Sequence, residues 1–398
     1  MQIKRQAILL GCAVALAGAA NPGFARVGVD EDAALVAAAP ESDGGSGGVS
    51  GWDEKKGGFN LRSADGDYSV TIGGLLQARF DAINWDEDFA EDDTVTFQVR
   101  RARLFFVGNF MGKSNTFYVQ IGADTPDALF DYPDTSGSDF QLVDAWVKHE
   151  WSEGFALKGG QFKTPFSRQS LTGAGKLQLP DRSIATEYWH RIFDRRDVGV
   201  EASGGFNQGK VMYALALVNG DGPNELNADD RLAVYGRVAV NPTGDYGYSE
   251  GDLDDSEDLA STLGLAVHYQ KDVPDFPAGD VWRINLDGGL KSGGASVQGE
   301  FTWAQLDPDT GSDDEVKSFY LQGGYFVRAS KAEIAARVSR LAFDGDDNDD
   351  TEYTVGLNWH CKGHRMKWQN AYSFLDDQAG LEGDLGDHRF VSQFQLWW

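Results

Sequence analysis

From Tyr68 to Trp398 apolar and polar positions alternate with a period of two in segments of about 9 to 15 residues, the mark of a strand with two different faces and not of a helix. In the last segment Phe390, Ser392, Phe394, Leu396 and Trp398 share one face, while Arg389, Val391, Gln393, Gln395 and Trp397 share the other. The first does the same, with Val70, Ile72, Gly74, Leu76, Ala78 and Phe80 opposite Ser69, Thr71, Gly73, Gln77, Arg79 and Asp81. The pattern predicts strands near 68–83, 94–110, 115–124, 140–151, 154–164, 194–206, 210–219 and 230–241. Eight more are predicted near 260–271, 282–291, 295–306, 316–328, 331–343, 352–360, 365–375 and 387–398. Sixteen is an even count, as in bacterial barrels whose antiparallel sheet closes on itself.

The connections decide between a soluble sandwich and a membrane barrel. Met111–Asn115, Ser152–Gly154, Asn207–Gly209 and Ser292–Gly294 are short, whereas Asp307–Glu315, Asp344–Asp350 and Asp376–Asp387 are long and acidic. Short turns on one side and long loops on the other are what outer-membrane barrels show. Pro242–Asp258 breaks the rule, being long and acidic where a short turn is due. Apolar runs that end in aromatic residues, such as Leu263, Leu265, Val267 and Tyr269, or Tyr353, Val355, Leu357 and Trp359, fit a lipid-facing wall with interfacial girdles. The predicted fold is therefore all-β, a transmembrane antiparallel β-barrel of about 16 strands spanning residues 59–398, with long outer loops.

Composition sharpens the picture. No segment after residue 25 is long and apolar enough for a transmembrane helix. The net charge is −27, which makes nucleic acid an improbable partner because a phosphate backbone calls for a basic footprint. Residues 1–25 carry Lys4 and Arg5, then an apolar run, then Gly23-Phe24-Ala25, and read as a secretory signal peptide cut after Ala25. Residues 26–58, rich in Ala, Gly, Ser and Asp, read as a flexible leader. After cleavage Cys361 is the one cysteine left, so no intrachain disulfide can form.

Sixteen to eighteen strands enclose a water-filled channel, so the face opposite the apolar one becomes a lumen. Fifteen Lys or Arg fall there against eight carboxylates; among the bases are Arg101, Arg103, Lys148, Lys158, Arg195, Arg231, Arg237 and Arg328. Rings of basic residues bias a narrow pore toward anions and phosphate, although such charges also merely solvate a wall and pair with one another. Near residue 100 the alternation slips. Phe97 and Val99 share parity with Arg101 and Arg103, which predicts either a bulge or a strand end lying beyond the lipid. Residues 165–193 form the longest stretch without alternation, and by strand count they are the third outer loop. With Phe166, Arg168, Lys176, Arg182, Tyr188 and Trp189 this loop is too aromatic for simple disorder. It is expected to fold into the channel as a constriction, with Arg168 on the solute path.

Four stretches carry a resemblance. Arg100-Arg101-Ala102-Arg103-Leu104, Asp144-Ala145-Trp146-Val147, Gly160-Gln161-Phe162-Lys163-Thr164-Pro165-Phe166 and Arg196-Asp197-Val198-Gly199-Val200 match, in order and spacing, the phosphate-selective porin O and P family. The resemblance implies a sixteen-stranded, trimeric outer-membrane channel with an infolded third loop. It also implies that Arg100, Arg101, Arg103 and Lys163 line a path for phosphate or related anions. The expected partners are thus small anionic solutes, outer-membrane lipid and two further copies of the chain.

Other chemistries have less behind them. No nucleophile-elbow or metal-helix motif supports an enzyme, and no cofactor is expected. His360, Cys361 and His364 are zinc ligand types, but they sit in a turn without a fourth ligand and read as incidental. Asp344, Asp346, Asn348, Asp350 and Glu352 resemble a calcium loop, but the glycine it requires is replaced by Asp349. A cation-preferring general porin and a non-conducting structural or adhesive surface barrel are the alternative functions.

Overall fold

A strand with one apolar and one polar face can be buried on one side by lipid and on the other by water or by its own interior. In the computed structural model this is how the alternation is used. The structure describes residues 49–52, 58–84, 93–125, 140–193, 195–227, 229–244, 246–273, 279–308, 314–343, 349–376 and 387–398. The signal peptide, the leader up to residue 48 and most of the acidic outer-loop stretches lie outside the described residues.

Two short strands, β1 (Val49–Trp52) and β2 (Phe59–Arg62), precede β3 (Ser69–Asn84), β4 (Thr94–Asn109), β5 (Asn115–Asp124), β6 (Gln141–Ser152), β7 (Phe155–Lys163), β8 (Arg196–Phe206), β9 (Val211–Val218) and β10 (Ala233–Val240). There follow β11 (Ala260–Val273), β12 (Gly279–Ser292), β13 (Ala295–Pro308), β14 (Asp314–Arg328), β15 (Ala332–Phe343), β16 (Asp350–Lys362), β17 (Met366–Asp376) and β18 (Asp387–Trp397). From β3 to β18 each strand pairs antiparallel with the next, and β18 returns to β3, from His388↔Asn84 to Trp397↔Leu75. The barrel is a closed sheet of sixteen strands.

β2 pairs with the first residues of β3, Ser69 to Ile72, and so continues the edge that β18 leaves. β1 pairs with β2 from Val49↔Arg62 to Trp52↔Phe59. The predicted leader thus gives up its last part to a hairpin, because the alternation of these four-residue strands is too short to register as a pattern.

Turn chemistry follows the strands. Gly293 and Gly294, at φ 59° and 76°, join β12 to β13. A two-residue hairpin of this twist needs positive φ at both positions. The slip near residue 100 is a bulge: Gln77 pairs with Arg101 and Ala78 with Val99, leaving Arg100 as the extra residue. Phe97 and Val99 therefore face outward, 83% and 49% exposed, while Arg101 and Arg103 are buried inside.

The long Asn241–Leu259 connection resolves the anomaly of an acidic periplasmic turn. It turns inward, burying Tyr246, Tyr248, Glu250 and Asp252. Glu250 accepts from the Gln169, Gln298 and Gln322 amides at 3.0, 2.9 and 2.9 Å and from the Gln178 backbone N–H at 2.7 Å. Glu250 is thus an interior group with four donors, while Asp254, Asp255, Glu257 and Asp258 of the same connection stay exposed.

Candidate functional site

The third outer loop, Thr164 to Arg195, enters the lumen and makes a circuit of its wall. Arg168–Leu171 form a short helix, α1, followed by a 3-10 turn at Ala174–Lys176 and a longer helix, α2 (Ile184–Phe193). Ser183 caps α2, its hydroxyl accepting from the Thr186 N–H at 3.1 Å. The loop is tied down by wall side chains that satisfy its backbone. Lys163 donates to Leu171 O at 3.0 Å, Lys367 to Leu177 O at 2.6 Å, Asn358 to Gln178 O at 2.7 Å and Arg337 to Asp181 O at 2.9 Å. Glu300 accepts the first N–H groups of α1, and Trp189 of α2 donates to Ser318 at 2.9 Å. Asp181 receives Arg79 through two bonds of 2.8 Å and lies 3.8 and 3.6 Å from Arg100 and Arg389. Burial would raise this carboxyl, but the three guanidinium groups, Arg79 foremost, hold it well below the ordinary carboxylate range.

Between the loop and the wall of β3 to β8 lies a cavity of about 30 Å³, room for one or two waters. Five basic side chains line it: Arg103 from β4, Lys163 from the end of β7, Arg182 and Arg195 from the loop, and Arg196 from β8. No carboxylate lines it. Arg196 is held by Asp144 through bonds of 2.9 and 2.8 Å, and Arg103 by Asp124. By contrast, Nε of Arg195 and Nη1 of Arg182 have no hydrogen-bond partner among the described residues. Burial, and then Arg182, Arg196 and Arg103, lower the pKa of Arg195 well below its usual value, which is the electrostatic signature of crowded like charge. On the periplasmic side of the arginines the floor is aromatic. Phe105, Tyr118 and Trp146 stack across β4, β5 and β6 at 6.2 and 5.8 Å, and Trp397 from β18 closes the cavity.

A second cavity, of about 20 Å³, lies against β12 to β14 and contains Ser170, His190 and Arg283. Ser170 Oγ is 2.5 Å from His190 Nε2, and His190 Nδ1 is 3.2 Å from Glu187. This row has the order of a nucleophile, a base and an acid. The N–H groups of α1 that could hold an oxyanion are already bonded to Glu300 and to Ser167. Its evident work is to fasten α1 to α2. Burial pushes His190 down to about 4.

The family model for phosphate-selective porin O and P matches residues 70–395, nearly the whole barrel. The chain belongs to this family. It is an outer-membrane channel of porin type, located in the bacterial outer membrane. An uncharacterized protein of Aquifex aeolicus is 25% identical over 339 residues, covering 75% of this chain and 80% of that one. Among solved structures, a trimer form of OmpT from Vibrio cholerae shares the fold at TM-score 0.54 and 14% identity, covering 83% of this chain and 99% of that one. The outer-membrane channel DcaP of Acinetobacter baumannii does so at TM-score 0.57 and 12% identity, over 83% and 97%. OprB of Pseudomonas putida does so at 0.56 and 10%, over 83% and 94%.

Within this porin the residues singled out in the sequence divide. Arg103, Lys163 and Arg195 meet in the basic cavity, with Arg101 bonded to Gln77 beside it and Arg100 near Asp181. Gly160 lets Lys163 arrive there: at φ 128° it runs so close to β6 that a Cβ would lie 2.2 Å from Ala145 O. Arg182 and Arg196 belong to the same group, although they were not singled out. Each was visible, one in the loop and one in a matching motif, but only the folded loop brings them to Arg103.

The others lie elsewhere. Lys158 pairs with Glu201 at 3.1 Å and Lys148 lies 3.9 Å from Glu150. Arg237 pairs with Asp287 at 2.7 Å and donates to Phe166 O, and Arg168 lies over Tyr246 and Tyr248. All four are engaged, Lys158 and Lys148 along the strand wall and Arg237 and Arg168 in packing the loop and the periplasmic turn. Arg231 is not lumenal. It precedes β10, where alternation no longer applies, and is exposed beside Asp229 and Asp272. Arg328 is also outside, over Trp359, because a register shift between Phe326 and Arg328 reverses the phase. Of the zinc-type cluster, His360 faces inward to Glu333 while Cys361 is exposed, as neighbours on one strand must be.

Proposed function

We propose that this porin passes small anions, phosphate or related ions, along the β3 to β8 wall. The carrying observation is the cavity lined by Arg103, Lys163, Arg182, Arg195 and Arg196 without a carboxylate. At physiological salt the Debye length is about 8 Å, so outer-loop carboxylates farther off are largely screened. Charges lining a narrow passage backed by a low-dielectric wall act at contact range. A cavity wide enough only for water means that a solute advances as the long basic side chains swing aside. Arg182 and Arg195 come from the loop and are suited to hand an anion on to Lys163 and Arg103. We further propose that the channel is a homotrimer, in keeping with the trimer form of the OmpT barrel.

The reversal potential of single channels in a potassium chloride gradient tests the selectivity. Chloride is expected to be preferred, and Lys163→Glu or Arg195→Glu should each move the potential toward the cation value. A wild-type channel that prefers potassium would replace this reading with that of a cation-preferring general porin.

A further inference from the structure

Exposed cations at the two ends of the barrel are not alike. At the extracellular ends of β10 to β15 they meet carboxylates: Arg231 lies 3.1 Å from Asp229, Lys271 3.6 Å from Asp272 and Lys317 2.9 Å from Glu315, while Arg340 pairs with Asp349. At the periplasmic ends of β14 to β17 stand three more, Arg328, Lys331 and Lys362, all exposed. Among the described residues no carboxylate pairs with any of them. Asp254 and Asp255 of the inward turn pass nearby, where Ser330 Oγ donates to Leu253 O at 2.7 Å, and still leave the three unpaired. In a chain with a net charge of −27, three cations without a partner on one stretch of rim call for an anion from outside the chain.

The fold sets them side by side. Lys331, in the turn between β14 and β15, donates through Nζ to Cys361 O at 3.2 Å, the carbonyl that precedes Lys362, and its own O accepts from His360 N at 2.7 Å. Arg328, Ala332 and Trp359 are cross-strand partners in one row, and past the small Ala332 the Arg328 guanidinium comes 5.8 Å from the centre of the Trp359 ring. A guanidinium held over an indole keeps N–H donors for a second partner. The next outward row is apolar, with Tyr325, Ile334 and Leu357 paired across the same three strands and each more than half exposed. Trp359 and Trp368, partners across β16 and β17, mark the level of the membrane interface.

We infer that this rim is a binding site for an anionic phospholipid of the periplasmic leaflet, its phosphate held by Arg328, Lys331 and Lys362 and its acyl chains laid on Tyr325, Ile334 and Leu357. A lipid is the fitting occupant because the two halves of the site match the two halves of the molecule. Basic side chains stand at the water's edge, and an apolar row continues from them into the hydrocarbon. A free phosphate would use the first half alone. At the extracellular rim the chain's own carboxylates already neutralise the cations. The inference is independent of which ion the channel passes.

Native mass spectrometry of the folded full chain in mild detergent tests this, with dioleoylphosphatidylglycerol and dioleoylphosphatidylcholine added in turn. The wild type should retain the phosphatidylglycerol and not the phosphatidylcholine. Arg328→Gln with Lys331→Gln and Lys362→Gln should weaken that retention about a hundredfold, at the usual worth of a cation beside an anionic headgroup. Heat-modifiable mobility and conductance should stay as in the wild type. Lys271→Gln with Lys317→Gln and Arg340→Gln, at the other rim, should retain the lipid as the wild type does. Equal retention of the two lipids by the wild type, or undiminished retention in the periplasmic triple variant, would overturn the site. Inorganic phosphate that displaced the phosphatidylglycerol at equal concentration would overturn the lipid as its occupant.

Discussion

At the scale of the residue, the lumen is governed by pairing more than by net charge. Arg389 with Asp81, Arg196 with Asp144, Arg237 with Asp287 and Arg337 with Glu352 are all ion pairs between buried side chains. Such pairs cancel in the field that a solute feels, so selectivity falls to the few bases that exceed their partners, Arg195 above all, since Arg182 lies 3.9 Å from Glu187. His190 adds a pH dependence. Its folded pKa, about 4, is depressed from the 6.5 of the free side chain. The unfolded loop therefore binds the proton first as pH falls. The stability that neutral His190 gives is complete above about 6.5 and is lost progressively as pH falls toward 4. A depression of this size is worth about 3 kcal/mol. Acidifying from pH 7 to 4.5 should make the loop more accessible to protease and the channel current noisier. His190→Gln should lose that part of the response, and an equal response in the variant would place the sensor elsewhere.

At the scale of the element, strands were legible and their interior partners were not. Each of the sixteen strands is where alternation puts it, because a lipid-facing wall imposes a strict period of two on every strand. Arg101 and Arg103 were expected inside, but the cause of the break in phase before them was left open, since a bulge is decided by the partner strand, here by Gln77 and Ala78 of β3. The third loop was legible as infolded from its aromatics. Its contacts were not, for Asp181 meets Arg79 and Arg389 from opposite ends of the chain. The inward path of the periplasmic turn had no signal beyond its unexpected acidity. Its amide partners, Gln169, Gln298 and Gln322, come from the loop and from two strands. The two inward segments also grip each other, since the Glu250 N–H donates to Lys176 O at 3.1 Å and its carboxylate takes the Gln178 N–H. Glu250→Ala removes the carboxylate half of that clasp while keeping the backbone bond to Lys176, and should raise single-channel conductance, with a partial deletion within 172–180 raising it further. Unchanged conductance in both would put the solute path outside the space these segments fill.

At the scale of the whole molecule, closure of the barrel and seating of the loop meet at the last two residues. Trp398 exchanges both backbone bonds with Gly74, at 2.8 and 3.0 Å, and its indole lies where a Cβ on Gly74 would stand. Trp397 points the other way, into the lumen, where Lys176 lies 5.9 Å over its ring and Gly175 packs against it. The alternation that sends one tryptophan out and the next in thus gives them separate tasks. Deleting Trp398 leaves Gly74 of β3 without its partner next to lipid, where an unpaired N–H or C=O is expensive. It should therefore lower the amount of heat-modifiable barrel in the outer membrane. Trp397→Ala keeps the backbone pairing and removes only the side chain that closes the basic cavity. It should assemble at near wild-type levels with a higher conductance. If both changes reduced assembly alike, the loop would be part of the folding core of the barrel. If neither did, β2, which continues the same edge of β3 from Ile72 to Ser69, would be sufficient to protect the seam.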